Sequence, residues 1–525
     1  MDWQREFDES RHHRQEPTTQ SPLSRTSWSQ VIVLANRAPF RHERSSDGKM
    51  RVARSASGLV TALEPLVANC AGTWVACADG NANINVSSEL TGVRAEGISP
   101  QYRLRYVSLD DEEYEGYYYG LANEGLWPLC HAVPVEPVFR HDDFRRYRVA
   151  NGHFTSSVVD AADGSPALVL VQDYHFALAP RLLRPRLSND SIIAAFWHIP
   201  WPPARVFARC PWAAELIDGL LGSDIIGFQT DGDRDNFLET VASTLDVDIV
   251  YADDVVCYRD QATRLRVHPV GVEWNNEIVR SMPSIQECRE QVWRDHRLLD
   301  GITLGVGIDR LDYTKGIHEK FLAIERLLER HPELRPRFAF IQVAEPSRTC
   351  LPEYRSAREQ IVETARRVNA RFGTGNHQPI RLLEEHRDPP DVYRLYRAAD
   401  FCYVGSLHDG MNLVAKEFVS ARTDHGGVLV LSQFAGAARQ LRAAVLVDPY
   451  DVNAAATALA RALAMPVSEQ AHRMRLLRAN VAKFDSAWWG RQLVEEAMTV
   501  AAANRSGANL WYAAVADAAQ TSTGL

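Results

Sequence analysis

From Val31 to about residue 433 the chain alternates two kinds of segment. Short, almost continuously apolar runs give way to longer stretches with apolar residues at i, i+3, i+4 and i+7. VIVLAN (31–36), ALVLVQD (167–173), SIIAAFWH (191–198) and DIIGFQT (224–230) are of the first kind and predict strands. Their lack of polar alternation fits a parallel sheet covered on both faces. A second series follows VHPVGVEW (267–274): ITLGVGIDRLD (302–312), RFAFIQVA (337–344), PIRLLEE (379–385), DFCYVGS (400–406) and GVLVLSQ (427–433). GIHEKFLAIERLLERHP (316–332) typifies the helices between them. Two such series predict an α/β protein of two doubly wound, Rossmann-like domains facing a central cleft. The expected domains are 30–272 and 273–483, with 484–503 a helix packing back on the first. Residues 1–29 and 504–525 read as polar tails.

Composition narrows the class. The 525 residues are 46% hydrophobic and 24% charged, which excludes wholesale disorder and collagen-like chains. The 58 Lys and Arg against 67 Asp and Glu give −9, which argues against a nucleic-acid partner. None of the eight cysteines forms a CxxC pair, so a reducing cytoplasm fits better than a disulfide framework or a zinc site. No run approaches the roughly 20 apolar residues of a membrane helix, and the first residues lack a signal-peptide core. The expectation is a cytoplasmic protein with no membrane partner, no metal and no cofactor, its assembly into a homo-oligomer left open.

Several loops carry candidate chemistry. GIDRLDYTKG sets Arg310 and Lys315 at a strand-to-helix turn, where two cations beside a helix start suit a diphosphate. The competing reading pairs them with Asp309 and Asp312 on a solvated loop. Arg310 stands where a dinucleotide fingerprint needs its third glycine, so that motif is excluded. In GSLHDGMNLVAKEF (405–418), Asp409 and Gly410 precede a helix, and the amides of Met411, Asn412 and Leu413 are its outward donors. Glu417 could accept from ribose hydroxyls; taken alone, an Asp N-cap with a solvated Glu is the commoner pattern. His198 ends a strand in WHIPWPP, where a satisfied core histidine is also commoner than a catalytic one. Asp173 ends another strand. GYYYGLANEGLWPLCH (116–131) offers either a flat aromatic surface for a sugar ring or aromatic core packing. Asp231, Asp233 and Asp235 read as first-turn charges of a helix rather than metal ligands. Gly58 opens a further helix start suited to phosphate.

Taken in order, ANR, QDYH, WHIPWP, GFQT, DRLDYTKG, DGMNLVAKE and VLSQFAGAA resemble the trehalose-6-phosphate synthases and their relatives, retaining glycosyltransferases of family 20 with the GT-B fold. The resemblance runs from about Val31 to Trp489. It implies that Arg310 and Lys315 hold the diphosphate of a nucleotide sugar and that Glu417 holds its ribose. It further implies that Asp409 and the amides of Met411, Asn412 and Leu413 position the donor sugar. His198 would contact that sugar, and Gly58 would close over the donor phosphates. On the side of a phosphorylated small-molecule acceptor it implies Arg37, Arg348, Tyr118, Trp127 and Asp173. Arg310, Lys315, His198 and Asp409 are the catalytic candidates. The family works without a metal or an established covalent intermediate, so catalysis rests on positioning and charge stabilisation.

The implied reaction is transfer of glucose from a nucleotide diphosphate glucose to glucose 6-phosphate, giving trehalose 6-phosphate. Two departures bear on it: Cys77 stands where an acceptor-contacting tryptophan is usual, and the paired glycine reads Ser57-Gly58. Cys77 motivates one rival with the same donor and another phosphorylated acceptor (glycerol 3-phosphate, a modified sugar phosphate or a cyclitol phosphate, as in a pseudo-glycosyltransferase). A rival of another class is a nucleotide-sugar-binding regulatory protein without turnover.

Overall fold

The computed structural model describes residues 28–44, 50–54, 60, 63–64, 67–68, 70–78, 102–375 and 377–506. Its strands are β1 Gln30–Leu34, β2 Phe40–Arg44, β3 Met50–Arg54, β4 Thr73–Cys77, β5 Arg103–Val107, β6 Ala167–Gln172, β7 Ile192–Phe196, β8 Ile225–Phe228, β9 Asp248–Val250, β10 Val255–Tyr258 and β11 Gln261–Val267 in the first half. The second half carries β12 Thr303–Arg310, β13 Phe338–Glu345, β14 Ile380–Leu383, β15 Phe401–Val404, β16 Val428–Ser432 and β17 Val445–Val447. The described residues form a nine-stranded sheet in the order β5-β4-β1-β6-β7-β8-β11-β10-β9 and a six-stranded sheet in the order β14-β13-β12-β15-β16-β17. β2 and β3 pair as a separate antiparallel hairpin.

The second sheet is parallel throughout. The first is parallel except where β10 runs against β9 and β11. Counted from its own first strand, the second sheet reads 3-2-1-4-5-6, and so do the first six strands of the larger one. That is the doubly wound order, in which the chain reverses direction of travel between strands 1 and 4. The reversals fall between β1 and β6 and between β12 and β15. β1, β4, β6, β7 and β8 are buried along their whole length, as helices on both faces require.

The chain crosses between the halves near Gly271 and again near Phe484, and the crossings touch. Ser486 N donates to Val272 O at 3.0 Å. A Cβ on Gly271 would lie 2.3 Å from Phe484 O, so only glycine permits the approach. Beyond the second crossing the helix Ser486–Arg505 sets Trp489 edge-on to Phe196 of β7 at 5.2 Å and pairs Glu496 with Arg266 of β11 at 2.9 Å.

The segment 116–131 departs from either single reading. Residues Glu115–Leu126 wind as a π-helix, continued by a short α-helix Trp127–His131. The wider turn spreads the aromatic side chains over several faces. Tyr117 enters the core and donates to Asn36 Oδ1 at 2.9 Å, whereas Tyr118 and Trp127 reach the cleft. Core packing and cleft lining are thus divided among neighbouring residues. π-turns of this kind often sit at functional sites.

Candidate active site

A cavity of about 390 Å³ lies between the halves, beyond the carboxyl ends of the strands that flank both reversals. Asn36 and Arg37 follow β1, Asp173 follows β6, Arg310 ends β12, Lys315 follows it, and Asp409 follows β15; all line it. Tyr118, Trp127, His198, Arg348, Met411, Asn412, Leu413 and Glu417 line it as well. Gly58 lies outside the described residues.

The charges are wired differently from the solvated-loop reading. Lys315 Nζ meets Asp409 Oδ2 at 2.6 Å, both largely buried. Asp409 also accepts from Ser406 Oγ and Asn412 Nδ2, each at 3.1 Å. Burial would raise its carboxyl pKa, but the charge and hydrogen bond of Lys315 outweigh burial and bring it down to about 2. Asp309 pairs instead with Lys320 at 2.5 Å in the interior. Asp312 is fully buried and faces Arg348 at 3.6 Å and Arg310 at 3.9 Å. Arg310 is therefore the less committed cation, with its guanidinium partly exposed over the Trp127 ring at 5.3 Å.

Asp409 is not the helix cap. Asn412 takes that position for the helix Leu413–Ala421, its Oδ1 accepting from Ala415 N at 3.2 Å. The amides of Leu413 and Val414, in the first turn, have no acceptor within the helix, and both residues line the cavity. Gly410 is where the halves meet most tightly: a Cβ there would lie 2.1 Å from His198 O. Glu417 accepts from Tyr396 OH at 3.0 Å, and burial raises its pKa.

Opposite these groups is a cage of aromatics around one cation. Arg348 lies over Trp127 at 4.4 Å and Tyr118 at 5.9 Å, and its guanidinium donates to Tyr354 OH at 2.5 Å and Tyr174 OH at 3.4 Å. Tyr118 stacks on His175 at 5.9 Å. Burial would raise the Tyr118 pKa, but Arg348, Arg37 and Arg310 together lower it to about 8. Arg37 is exposed into the cleft, and its carbonyl accepts from Trp74 Nε1 at 3.1 Å.

His198 is part-buried, desolvation takes its pKa down to about 3, and its two ring nitrogens contact Gln172 and Gln229. Its backbone N–H donates to Asp173 Oδ1 at 3.2 Å; burial raises the Asp173 pKa to about 6. Asp173 (φ 74°), Arg348 (φ 50°) and Asn412 (φ 77°) all line the cavity in left-handed backbone conformations, strain that collects at functional sites.

Gln172, Gln229, His131, Tyr174 and Tyr354 were given no role by sequence reasoning, and Asp312 only that of an ion-pair partner. All but Tyr354 stood inside the quoted segments QDYH, GFQT, GYYYGLANEGLWPLCH and GIDRLDYTKG; what they touch in the fold carries no local signal. Cys77 ends β4 within the core, its Sγ directed to Ala78 O at 3.5 Å. It is not among the residues lining the cavity. Thr230 caps the helix Asp231–Thr244, whose first turn holds Asp231 and Asp233; Asp233 is buried and also accepts from Thr230 Oγ1 at 2.5 Å and Trp201 N at 2.9 Å. No cluster of metal-ligating side chains occurs among the described residues. No helix among them is long and apolar enough to cross a membrane.

The sequence model of Glycosyltransferase family 20 matches residues 29–499. A trehalose-6-phosphate synthase from Mycobacterium sp. (strain KMS) is 35% identical over 483 residues, covering 89% of this chain and 94% of its own length. Among solved structures, one from E. coli, named as trehalose-6-phosphate bound with UDP-2-fluoro glucose, superposes with a TM-score of 0.78 at 28% identity. It covers 89% of this chain and 99% of that one. An α,α-trehalose-phosphate synthase (UDP-forming) from Burkholderia xenovorans in complex with glucose-6-phosphate gives 0.77 at 29%, with the same coverage.

Proposed function

The chain belongs to glycosyltransferase family 20 and is a glycosyltransferase of GT-B fold, and from that premise we propose that it moves glucose from UDP-glucose to glucose 6-phosphate, giving trehalose 6-phosphate. The observation that carries this reading is one cavity lined by four cations beside a helix start. Arg310, Lys315 and the first amides of the helix Leu413–Ala421 form one group and Arg37 with the caged Arg348 a second, the two groups meeting at Asp312 and the Trp127 ring. A donor diphosphate suits the first, because leaving-group charge grows as the glycosidic bond breaks and preformed cations and amides stabilise it there. A sugar phosphate suits the second, where Arg348 is already fixed by four aromatic rings and its binding costs little reordering.

In this reading Asp409 holds the Lys315 ammonium in place and, ionised at any working pH, accepts a sugar hydroxyl. Glu417 holds the ribose. Arg348, Tyr118 and Trp127 fix the acceptor so that its anomeric hydroxyl approaches the donor carbon. The reading needs no nucleophile from the protein: rate comes from proximity and charge stabilisation. Titratable groups of shifted pKa gather in this cleft, the usual mark of a functional site.

A second reading keeps the donor and changes the acceptor to another sugar or polyol phosphate. It is favoured by Cys77, whose small side chain turns into the core, so β4 sends no large ring toward the cavity. One experiment separates the readings: purified protein with UDP-, GDP- or ADP-glucose against a panel of phosphorylated acceptors, products identified by mass spectrometry. The first reading predicts the highest kcat/KM for UDP-glucose with glucose 6-phosphate. A preference of roughly tenfold or more for another acceptor would establish the second. Binding of nucleotide sugar without product from any acceptor would defeat both.

A further inference from the structure

One backbone amide sets the direction of every hydrogen bond behind His198. Val270 lies in the first crossing between the halves, and its N–H meets Gln229 Oε1 at 2.9 Å. A backbone N–H can only donate, so the Gln229 oxygen must face it and the Gln229 amide nitrogen must face the other way. That nitrogen lies 3.2 Å from His198 Nδ1. An amide nitrogen also only donates, so Nδ1 must accept. The proton of the neutral ring then sits on Nε2, which meets Gln172 Oε1 at 2.9 Å. Reversing any member would set two donors against each other, ending at Val270. The Val270 peptide is itself gripped from the other half: its carbonyl accepts from the buried Lys416 Nζ at 2.6 Å.

We propose that Gln229 is a positioning residue that holds His198 as the neutral Nε2–H tautomer, so that the imidazole meets the substrate as a hydrogen-bond donor and not as a base. The ring is packed against Phe196 at 4.5 Å and Trp489 at 6.0 Å, and the partners of its two nitrogens are neutral amides rather than carboxylates that would support a second proton. Gln172 and His198 both line the cavity, and Gln172 Nε2 is buried without an acceptor among the described residues. A substrate oxygen that reaches the ring takes over the Nε2–H bond now made to Gln172 Oε1. The substrate role rests on the proposed transfer reaction; the tautomer does not.

The test is two-bond proton–nitrogen correlation NMR on the full chain with nitrogen-15 in its histidine rings. The His198 signals are assigned by their loss in His198→Gln. At neutral pH, without substrate, the expected pattern has a protonated Nε2 and a bare Nδ1. A protonated Nδ1, or a doubly protonated ring, overturns the proposal. Gln229→Glu supplies the second readout. A carboxylate still accepts from Val270 N–H but has no proton for Nδ1. The ring should therefore move to the Nδ1–H or doubly protonated form. kcat should fall roughly 10–100-fold, as when the orienting partner of a ligating histidine is removed, with KM for either substrate nearly unchanged. An unchanged ring pattern with an unchanged kcat overturns it as well. Should that variant not fold, the wild-type spectrum decides alone. Because the spectrum needs no turnover, it reads the tautomer correctly even where the substrate assignment is wrong.

Discussion

At the reversal of the six-stranded sheet the loops carry charge: Arg310, Lys315 and Asp409 around a helix start. At the reversal of the nine-stranded sheet they carry neutral and aromatic groups, with Asn36, Gln172, His198 and Tyr118 joined by Arg37 and Asp173. Over six strands the order and direction are shared between the halves, so the backbone does not account for the difference. Its source is what the loops beyond the strands carry. In the proposed reaction one half would stabilise a polyanion and the other would orient a ring. Arg348 links them: it belongs to the charged half by sequence and sits in the aromatic half's cage. The same fold thus supports two recognition chemistries at one cleft, as expected when function lives in loops on a rigid scaffold.

The sharpest way to break this contrast is to remove the charge. Arg310→Ala should lower kcat by about 10²–10³-fold or more with the melting temperature nearly unchanged, because its guanidinium is only loosely paired. Lys315→Ala should lose comparable activity and, unlike Arg310→Ala, also about 3 kcal/mol of stability by urea titration, since Asp409 is left buried and unpaired. Equal stability of the two variants would show that the Lys315–Asp409 pair has no structural role.

Arg348→Ala tests the other half. It should raise the KM for the phosphorylated acceptor about 10–100-fold, the worth of one or two charge-assisted hydrogen bonds, and leave the donor KM nearly unchanged. A larger effect on the donor would place Arg348 on the wrong side of the division. Where the halves touch, Gly410→Ala should cost about 1–3 kcal/mol of stability and reduce both kcat and acceptor affinity, because the added methyl meets the His198 carbonyl.

The smallest expected effect is on pH dependence. The Tyr118 pKa is lowered to about 8, so above that pH a phenolate forms, and the proposed reading sets it beside the acceptor's phosphate. Like charges repel, so acceptor KM should rise as the pH is taken from neutral to well above the Tyr118 pKa, and Tyr118→Phe should flatten that rise. The sign follows from Tyr118 being neutral below its pKa and anionic above it. An unaltered profile in Tyr118→Phe would remove this residue from the phosphate's surroundings.

Much of the scaffold was legible because parallel strands covered on both faces must be apolar at every position. The strands around ALVLVQ and ITLGVG are of that kind. β4 and β5 escaped notice: TWVAC is short, and RLRYV mixes charge with apolar groups. The antiparallel β9 and β10 towards the sheet's edge are too short to stand out: DIV has 3 residues and VVCY 4. The π-helix escaped because its residues are apolar around most of the turn, which gives no period to read. Within the site, motif order brought Arg310, Lys315 and Asp409 to attention, but not their wiring. Lys315 finds its partner 94 residues away, and Asn412 rather than Asp409 caps the helix. Such pairings follow from strand order, which a local window does not contain.

Whether the charged half and the aromatic half together carry out the proposed transfer is decided by the product itself. Purified protein, UDP-glucose and glucose 6-phosphate should release UDP in step with a phosphorylated non-reducing disaccharide, whose proton NMR spectrum shows two anomeric protons, both α. UDP release without disaccharide, or a β-anomeric proton from the transferred glucose, would contradict it.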